Sequence, residues 1–400
     1  MPKRLLFVDD DNNVLDGLRR SLHSMRRDWR MHFVSGAAEA LEALAREPYD
    51  AVVSDMRMPG MDGADLLEEV KLRYPDIVRM ILSGQSSREA VYRSISPAHQ
   101  FLSKPCNPQE LMARLSQAFA MRDLLSNQSL QKVISGLRSI PSLPTLYEEL
   151  TAELRTESPS LAQIAKVISK DVGMAAKILQ LANSAFVGAS GRVSGLVQAL
   201  SLIGTETVRT LVLSVHVFSH FERNSRVANR LSGIWEHSVA VSGLAQRVAK
   251  AENAQKALVE ESFTAGLLHD IGKAVVLAEM PREYEAIFES GSGPKYEEER
   301  QRLGCTHAEI GAYLMSIWGI PLSLVQAVAF HHHPADAGDT QFTSLTAVHV
   351  ASAFLAPNQD LELDMAYLDS LGLRGREPVW RDLIAATPPT HAADKASAGT

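Results

Sequence analysis

The chain is 400 residues long, with 46% hydrophobic and 22% charged residues and a net charge of −7. That length suggests two or three domains with a core apiece. The mild negative charge excludes a global basic field of the kind that draws in nucleic acid. No apolar run reaches the length of a bilayer span, and the amino terminus meets aspartates too soon for a secretory leader. The two cysteines, Cys106 and Cys305, form no disulfide framework, so a cytoplasmic address without membrane association is expected.

Leu5-Leu6-Phe7-Val8 reads as a strand that ends in Asp9-Asp10-Asp11. Val14, Leu15, Leu18 and Leu22 follow at helical spacing, residues 31–34 form the next strand, and Ala40, Leu41 and Leu44 mark a second helix. Ala51-Val52-Val53-Ser54 then delivers Asp55 to the turn Met56-Arg57-Met58-Pro59-Gly60. A helix bearing Leu66, Leu67 and Val70 comes next, before a fourth strand over 78–82 that ends at Ser83. A fifth strand over 100–103 ends at Lys104, and a last helix starts near Pro108, a residue suited to a first helical turn. Strands alternating with helices across short loops predict an α/β doubly wound, five-stranded parallel sheet of the flavodoxin-like kind.

Asp9 and Asp10, Asp55, Ser83 and Lys104 each follow the last apolar residue of a different strand, which places all four sites on one edge of the sheet. Singly, each has a bland reading as a turn acid, a helix cap or a solvated lysine. Together they describe a chemistry. Carboxylates supply the hard oxygen ligands that Mg²⁺ takes, and a hydroxyl and an ammonium bind phosphoryl oxygens.

On these residues the stretch from Leu5 to about Arg122 resembles a response-regulator receiver domain. The resemblance implies that Asp55 is the phosphoryl acceptor, with Mg²⁺ contacts from Asp10, Asp55 and the backbone carbonyl of Arg57, and Asp9 nearby or acting through water. Ser83 matches the family's switch hydroxyl, Phe101 the aromatic that responds to it, and Lys104 the lysine that binds the phosphoryl group. A cognate histidine kinase is the implied donor.

Apolar spacing in the last helix of this domain runs on past Leu124 and Leu125 through Leu130, Val133, Ile134 and Leu137. It stops at Ile140-Pro141-Ser142-Leu143-Pro144, where two prolines rule out helix. Residues 123–139 are thus a connector, with an ordinary docking helix in its first half and a candidate signalling or homodimer-forming helix in its second. From residue 140 to about 385 the pattern is helical almost throughout, with helices opening at Ser158-Pro159 and Asp171, and an all-α domain is the base reading. The tail, 386–400, is rich in Ala, Pro, Thr and Ser and is expected to be disordered.

Ten of the 13 histidines lie beyond Leu137. Those in suggestive settings are His237, His269 beside Asp270, His307, and His331 with His332. Imidazoles with an aspartate suit a transition metal better than Mg²⁺, whereas any one of them alone reads as a buried donor or a helix-end residue. Ile168-Ser169-Lys170-Asp171, Ile178-Leu179-Gln180-Leu181-Ala182-Asn183-Ser184 and His269-Asp270-Ile271-Gly272-Lys273 are similar to hallmarks of the HDOD branch of the HD superfamily. The histidine set resembles the Fe, Mn or Zn ligands of HD-family phosphodiesterases. Two departures count against turnover. Ser352 stands where HD enzymes end in an aspartate ligand, and Ala335-Asp336-Ala337-Gly338 carries no Gly-Tyr-Pro element. The expected function is a two-component response regulator whose Asp55 controls an HDOD output acting on a downstream protein. The alternative is a receiver-gated, metal-dependent phosphohydrolase.

Overall fold

The computed structural model describes residues 2–83, 98–104, 107–124, 134, 144–154, 156, 159–183, 193–204, 208, 226–289, 295–356 and 361–385. The amino-terminal part runs β1 (Lys3–Val8), α1 (Asn12–Ser21), β2 (Trp29–Val34), α2 (Ala37–Arg46), β3 (Ala51–Asp55), α3 (Gly63–Arg73), β4 (Val78–Ser83), β5 (Gln100–Ser103) and α4 (Pro108–Leu124). All strand pairs are parallel, in the order β2-β1-β3-β4-β5. Leu5 to Val8 and all of β3 are buried, as strands covered by helices on both faces require.

The register pairs Val8 with Ser54, Asp55 with Leu82 and Ser83 with Ser103. The carboxyl ends of β1, β3, β4 and β5 therefore share one edge, as the sequence predicts. From β1 the chain winds outward to β2 and then returns to place β3 on the other side. That reversal opens a crevice between the ends of β1 and β3, where open α/β sheets bind ligands. Asp11 is occupied as the cap of α1, accepting from the backbone N–H of Asn13, a contact worth about 1 kcal/mol. Of the other two consecutive acids, Asp9 is buried at the crevice and Asp10 is exposed next to it.

The carboxy-terminal part is all helical among the described residues: α5 (Pro144–Leu154), α6 (Leu161–Ile168), α7 (Val172–Ala182), α8 (Leu196–Ile203), α9 (Arg226–Ala251), α10 (Lys256–Leu268), α11 (Ile271–Glu279), α12 (Pro281–Tyr284), α13 (Lys295–Leu303), α14 (His307–Ile317), α15 (Leu322–Phe330), α16 (Ser344–Leu355), α17 (Met365–Ser370) and α18 (Glu377–Ala385). The helix expected from Ser158-Pro159 begins at Leu161, because the Ser160 hydroxyl accepts from the Gln163 N–H and caps it there. Helix α7 is buried along its whole length, consistent with a central position. The 26-residue α9 packs against α10 and α16. A Cβ on Gly266 would fall 2.7 Å from Ser242 Cα, so glycine permits α10 to cross α9 at backbone contact. Most of the expected connector and the tail from 386 lie outside the described residues. Among the described residues no helix is long and apolar enough to cross a membrane.

Candidate functional site

At the carboxyl edge of the sheet, Lys104 lies between two carboxylates. Its Nζ donates to Asp9 Oδ2 at 2.6 Å and forms an ion pair with Asp55 Oδ1. The other Asp55 oxygen, Oδ2, accepts from the backbone N–H of Arg57 at 2.6 Å, and Asp9 Oδ1 accepts from that of Asp11 at 3.0 Å. Asp9 and Asp55 are 2% and 6% exposed, while Asp10 is open to solvent beside them. Burial pushes the Asp9 carboxyl above its ordinary value, against the pull of Lys104. Burial works against the Lys104 ammonium too, but the hydrogen bonds and charges of Asp55 and Asp9 outweigh it and hold its pKa up.

The turn that follows Asp55 needs glycine at its close. A Cβ on Gly63 would fall 2.0 Å from the Asp55 carbonyl oxygen. Ser83 ends β4, paired with Ser103, and Phe101 is paired with Ile81. Their backbones lie where the sequence puts them, and their side chains lie outside the described residues.

A second cluster forms where four helix ends meet the middle of α9. His269 ends α10, Asp270 starts α11, His307 starts α14, and His331 and His332 follow α15, while His237 comes from α9. His307 Nε2 is 3.2 Å from Asp270 Oδ1 and 3.4 Å from His331 Nε2. His269 Nε2 and His237 Nε2 are 3.5 Å and 3.9 Å from Asp270 Oδ2. Two trios emerge, His237-His269-Asp270 and His307-His331-His332, each with its ligand atoms within 4.8 Å of one another. The structure thus brings together all six residues singled out in the sequence.

The far side of three rings explains why these atoms face inward. His269 Nδ1 is 2.8 Å from the Gly266 carbonyl, His331 Nδ1 is 2.8 Å from the Val328 carbonyl, and His307 Nδ1 is 2.7 Å from Glu299 Oε1. An oxygen acceptor at Nδ1 places the proton there and aims the Nε2 lone pair at the cluster, as metal-ligating histidines require. Burial lowers His269 to about 3, and it drives His331 and His332 well below the ordinary histidine value and depresses His237. Burial thus favours the neutral imidazole in these four. His307 is the exception: burial opposes its charge, but Glu299 and Asp270 raise its pKa. Burial likewise opposes the Asp270 charge, and the groups around it, His269 and Lys273 foremost, hold its carboxyl well below the usual range. Lys273 Nζ donates to Asp270 Oδ2 at 2.8 Å, whereas no donor meets the buried Oδ1 in hydrogen-bonding geometry. A buried carboxylate oxygen left in that state, ringed by imidazole nitrogens, fits a cation.

Two positioning residues escape sequence reasoning. Glu299 is wholly buried on α13 and also accepts from the His307 backbone N–H. Its sequence context, Glu297-Glu298-Glu299, reads as a solvated helix face. His349 donates from Nδ1 to the His331 carbonyl at 2.8 Å and accepts at Nε2 from the Asp364 N–H at 2.9 Å, so it braces the His331 backbone. Ser352, 5% exposed, lies three residues further along the same helix, α16.

The family model of the response regulator receiver domain matches residues 5–116, and that of the HDOD domain matches residues 140–334. Response regulator MprA of Mycobacterium sp. (strain KMS) is 31% identical over 173 residues, a match covering 39% of this chain and 74% of that protein. This chain belongs to the response regulators. The regulator is also similar to the hydrogenase transcriptional regulatory protein HoxA of Cupriavidus necator, with 32% identity over 161 residues, covering 40% of this chain. It spans only 29% of that relative's length. A similar solved structure is the MmoQ response regulator of Methylococcus capsulatus str. Bath, at 23% identity and a TM-score of 0.47, covering 62% of this chain and 98% of that one. A receiver domain implies a phosphodonor such as a histidine kinase.

Proposed function

We propose that this response regulator accepts a phosphoryl group on Asp55 from a cognate histidine kinase, and that the event controls what its HDOD domain binds. The observation that carries the reading is the Lys104 bridge between Asp9 and Asp55 at the crevice. The Arg57 N–H holds Oδ2 and Lys104 pairs with Oδ1, so Oδ1 would attack phosphorus from the side where the ammonium stands. Lys104, already against Oδ1, follows the charge onto the phosphoryl oxygens. Asp10, Asp55 and the backbone carbonyl of Arg57, with Asp9 beside them, would hold Mg²⁺, which neutralises charge around the phosphoryl group when bound. Ser83 and Phe101 are assigned the switch. The buried, unbridged Cys305 supports a cytoplasmic address.

In the HDOD domain, His237, His269, Asp270, His307, His331 and His332 would hold a transition metal, Fe, Mn or Zn. The orphaned Asp270 oxygen and the inward Nε2 atoms support this. The output is a protein contact rather than hydrolysis, a reading supported by Ser352 and by the missing Gly-Tyr-Pro element. The rival, a receiver-gated phosphohydrolase, draws on the same convergent ligand set. A homodimer through the connector belongs to the proposal and is read by sedimentation of the phosphorylated and unphosphorylated protein.

Acetyl phosphate with Mg²⁺ should label the wild type and leave Asp55→Asn unlabelled. Label that persists in Asp55→Asn, or survives chelation undiminished, would overturn the acceptor assignment. Metal analysis of purified wild type and Asp270→Ala tests the second centre, and no stoichiometric transition metal in the wild type would sink it. Cleavage of a cyclic dinucleotide at enzyme-like rates, abolished in His269→Ala, would install the rival.

A further inference from the structure

The receiver and the histidine cluster grip opposite ends of one helix. At the carboxyl end of α14, Gln100 Nε2 of β5 donates to the Ser316 carbonyl at 2.9 Å, and Gln117 Nε2 of α4 donates to the Ile320 carbonyl at 3.3 Å. Gln100 is only 3% exposed. Gly319, with φ of +71°, lets the chain turn beneath this contact, and a Cβ there would fall 2.8 Å from Arg114 Nη1 of α4. At the amino end of the same helix His307 enters the cluster, fixed by Glu299 and by a capping box between Thr306 and Glu309. Eleven helical residues span about 16 Å.

Helix α14 is held as a rigid member. Every residue of it but Glu309 is buried. A Cβ on Gly272 would fall 1.9 Å from the His307 carbonyl oxygen, and one on Gly311 would fall 2.8 Å from Ile271 Cγ2 and 3.1 Å from Val328 Cγ1. The backbone of α14 therefore lies directly on α11, which starts beside Asp270, and against α15, which leads into His331. A shift of α14 relative to its neighbours changes the distances among Asp270, His307 and His331. On the receiver side, Gln100 adjoins Phe101 on β5, and β5 is bonded along β4, whose last residue is Ser83.

We propose that α14 is the strut coupling Asp55 to the histidine cluster, so that the state of the receiver sets the metal affinity of the cluster and metal occupancy sets the anion affinity of the receiver. This rests on the site assignments made under Proposed function. Binding linkage requires the same factor in both directions.

The test uses the full chain with Mg²⁺ saturating, beryllofluoride as the phosphoryl mimic and Zn²⁺ as the probe metal. Zn²⁺ affinity is read by competition with a chromophoric chelator, with and without beryllofluoride, in wild type, Asp55→Asn, Gln100→Leu and Gln117→Ala. The expected result in the wild type is a change of about fivefold or more, matched by an equal change in beryllofluoride affinity when Zn²⁺ is added. Asp55→Asn should show none. Gln100→Leu should reduce the change to less than about twofold while each ligand still binds, and the milder, partly exposed Gln117→Ala should reduce it in the same direction if Gln100→Leu folds poorly. Equal Zn²⁺ affinities in a wild type that binds both ligands would overturn the strut and leave the two sites standing. A change that persists undiminished in both glutamine variants would move the coupling off α14. Failure of the wild type to bind beryllofluoride, or Zn²⁺, would overturn the site assignment itself and the strut with it.

Discussion

Replacement of Glu299 by alanine strikes the histidine centre without altering any atom that faces into it. The carboxylate is wholly buried and accepts two hydrogen bonds from one residue, from the His307 backbone N–H and from its Nδ1–H. Alanine leaves both donors buried and unanswered. Each such donor costs about 1–3 kcal/mol, so the loss is about 2–6 kcal/mol, a large part of the stability of an ordinary domain. Glutamine behaves differently. Glu299 Oε2 already lies near both donors, 2.9 Å from Nδ1, so a glutamine oxygen in that place serves both while the negative charge is gone. Glu299→Gln should keep most of the stability and lose about 10–100-fold in transition-metal affinity. The pH dependence separates charge from hydrogen bonding. Burial opposes the His307 proton, but Glu299 and Asp270 raise its pKa above the ordinary value. A raised folded value means that this part of the stability is complete below the unfolded pKa of about 6.5 and is lost as pH rises through the folded value. The gap between wild type and Glu299→Ala should therefore be widest at acid pH and narrow above it, without closing. Urea unfolding across pH, with histidine NMR to follow His307, makes the measurement. An alanine variant as stable as the wild type below neutral pH, with His307 titrating unchanged, would refute the reasoning.

Gly63→Ala forces a methyl group against the Asp55 carbonyl; it should destabilise the receiver by about 1–3 kcal/mol and slow acetyl phosphate labelling of Asp55, and unchanged labelling kinetics would count against the close packing. Lys177 on α7 is 2% exposed, and burial followed by the nearby Lys71 pulls it down to about 7. Because the unfolded chain holds that proton up to about pH 10.5, stability should rise with pH between about 7 and 10.5 by at most about 1.4 kcal/mol per unit, and Lys177→Met should flatten that rise; an unaltered slope in urea midpoints would show that Lys177 stays charged. Metal binding at His307 Nε2 competes with protonation there, so Zn²⁺ affinity should increase as pH rises through the folded His307 value, with proton release measurable in weakly buffered solution; a pH-independent affinity would remove His307 from the ligand set.

Much of the receiver site was legible because a parallel sheet writes its ligand edge into the chain. Each strand is a short apolar run, and the polar residues within two positions of its end fall on one edge of the sheet, so Asp9, Asp55 and Lys104 could be assembled before any contact was known. The histidine centre was legible in its members, since imidazole and carboxylate side chains at helix ends advertise themselves by type. Orientation was not. Nothing in Glu297-Glu298-Glu299 marks the third glutamate as the buried one that sets the His307 tautomer, because burial depends on which face α13 turns toward α14. Gln100 and Gln117 carry no periodic signal either: amides at a strand start and on a helix side read as solvated until a second domain supplies carbonyls to bond. Apolar spacing reports what a segment buries, and strand-end chemistry reports what an edge can bind. Which helix end meets which strand is decided by packing between residues some 200 positions apart, as with Gln100 and Ser316, and that only the tertiary structure settles.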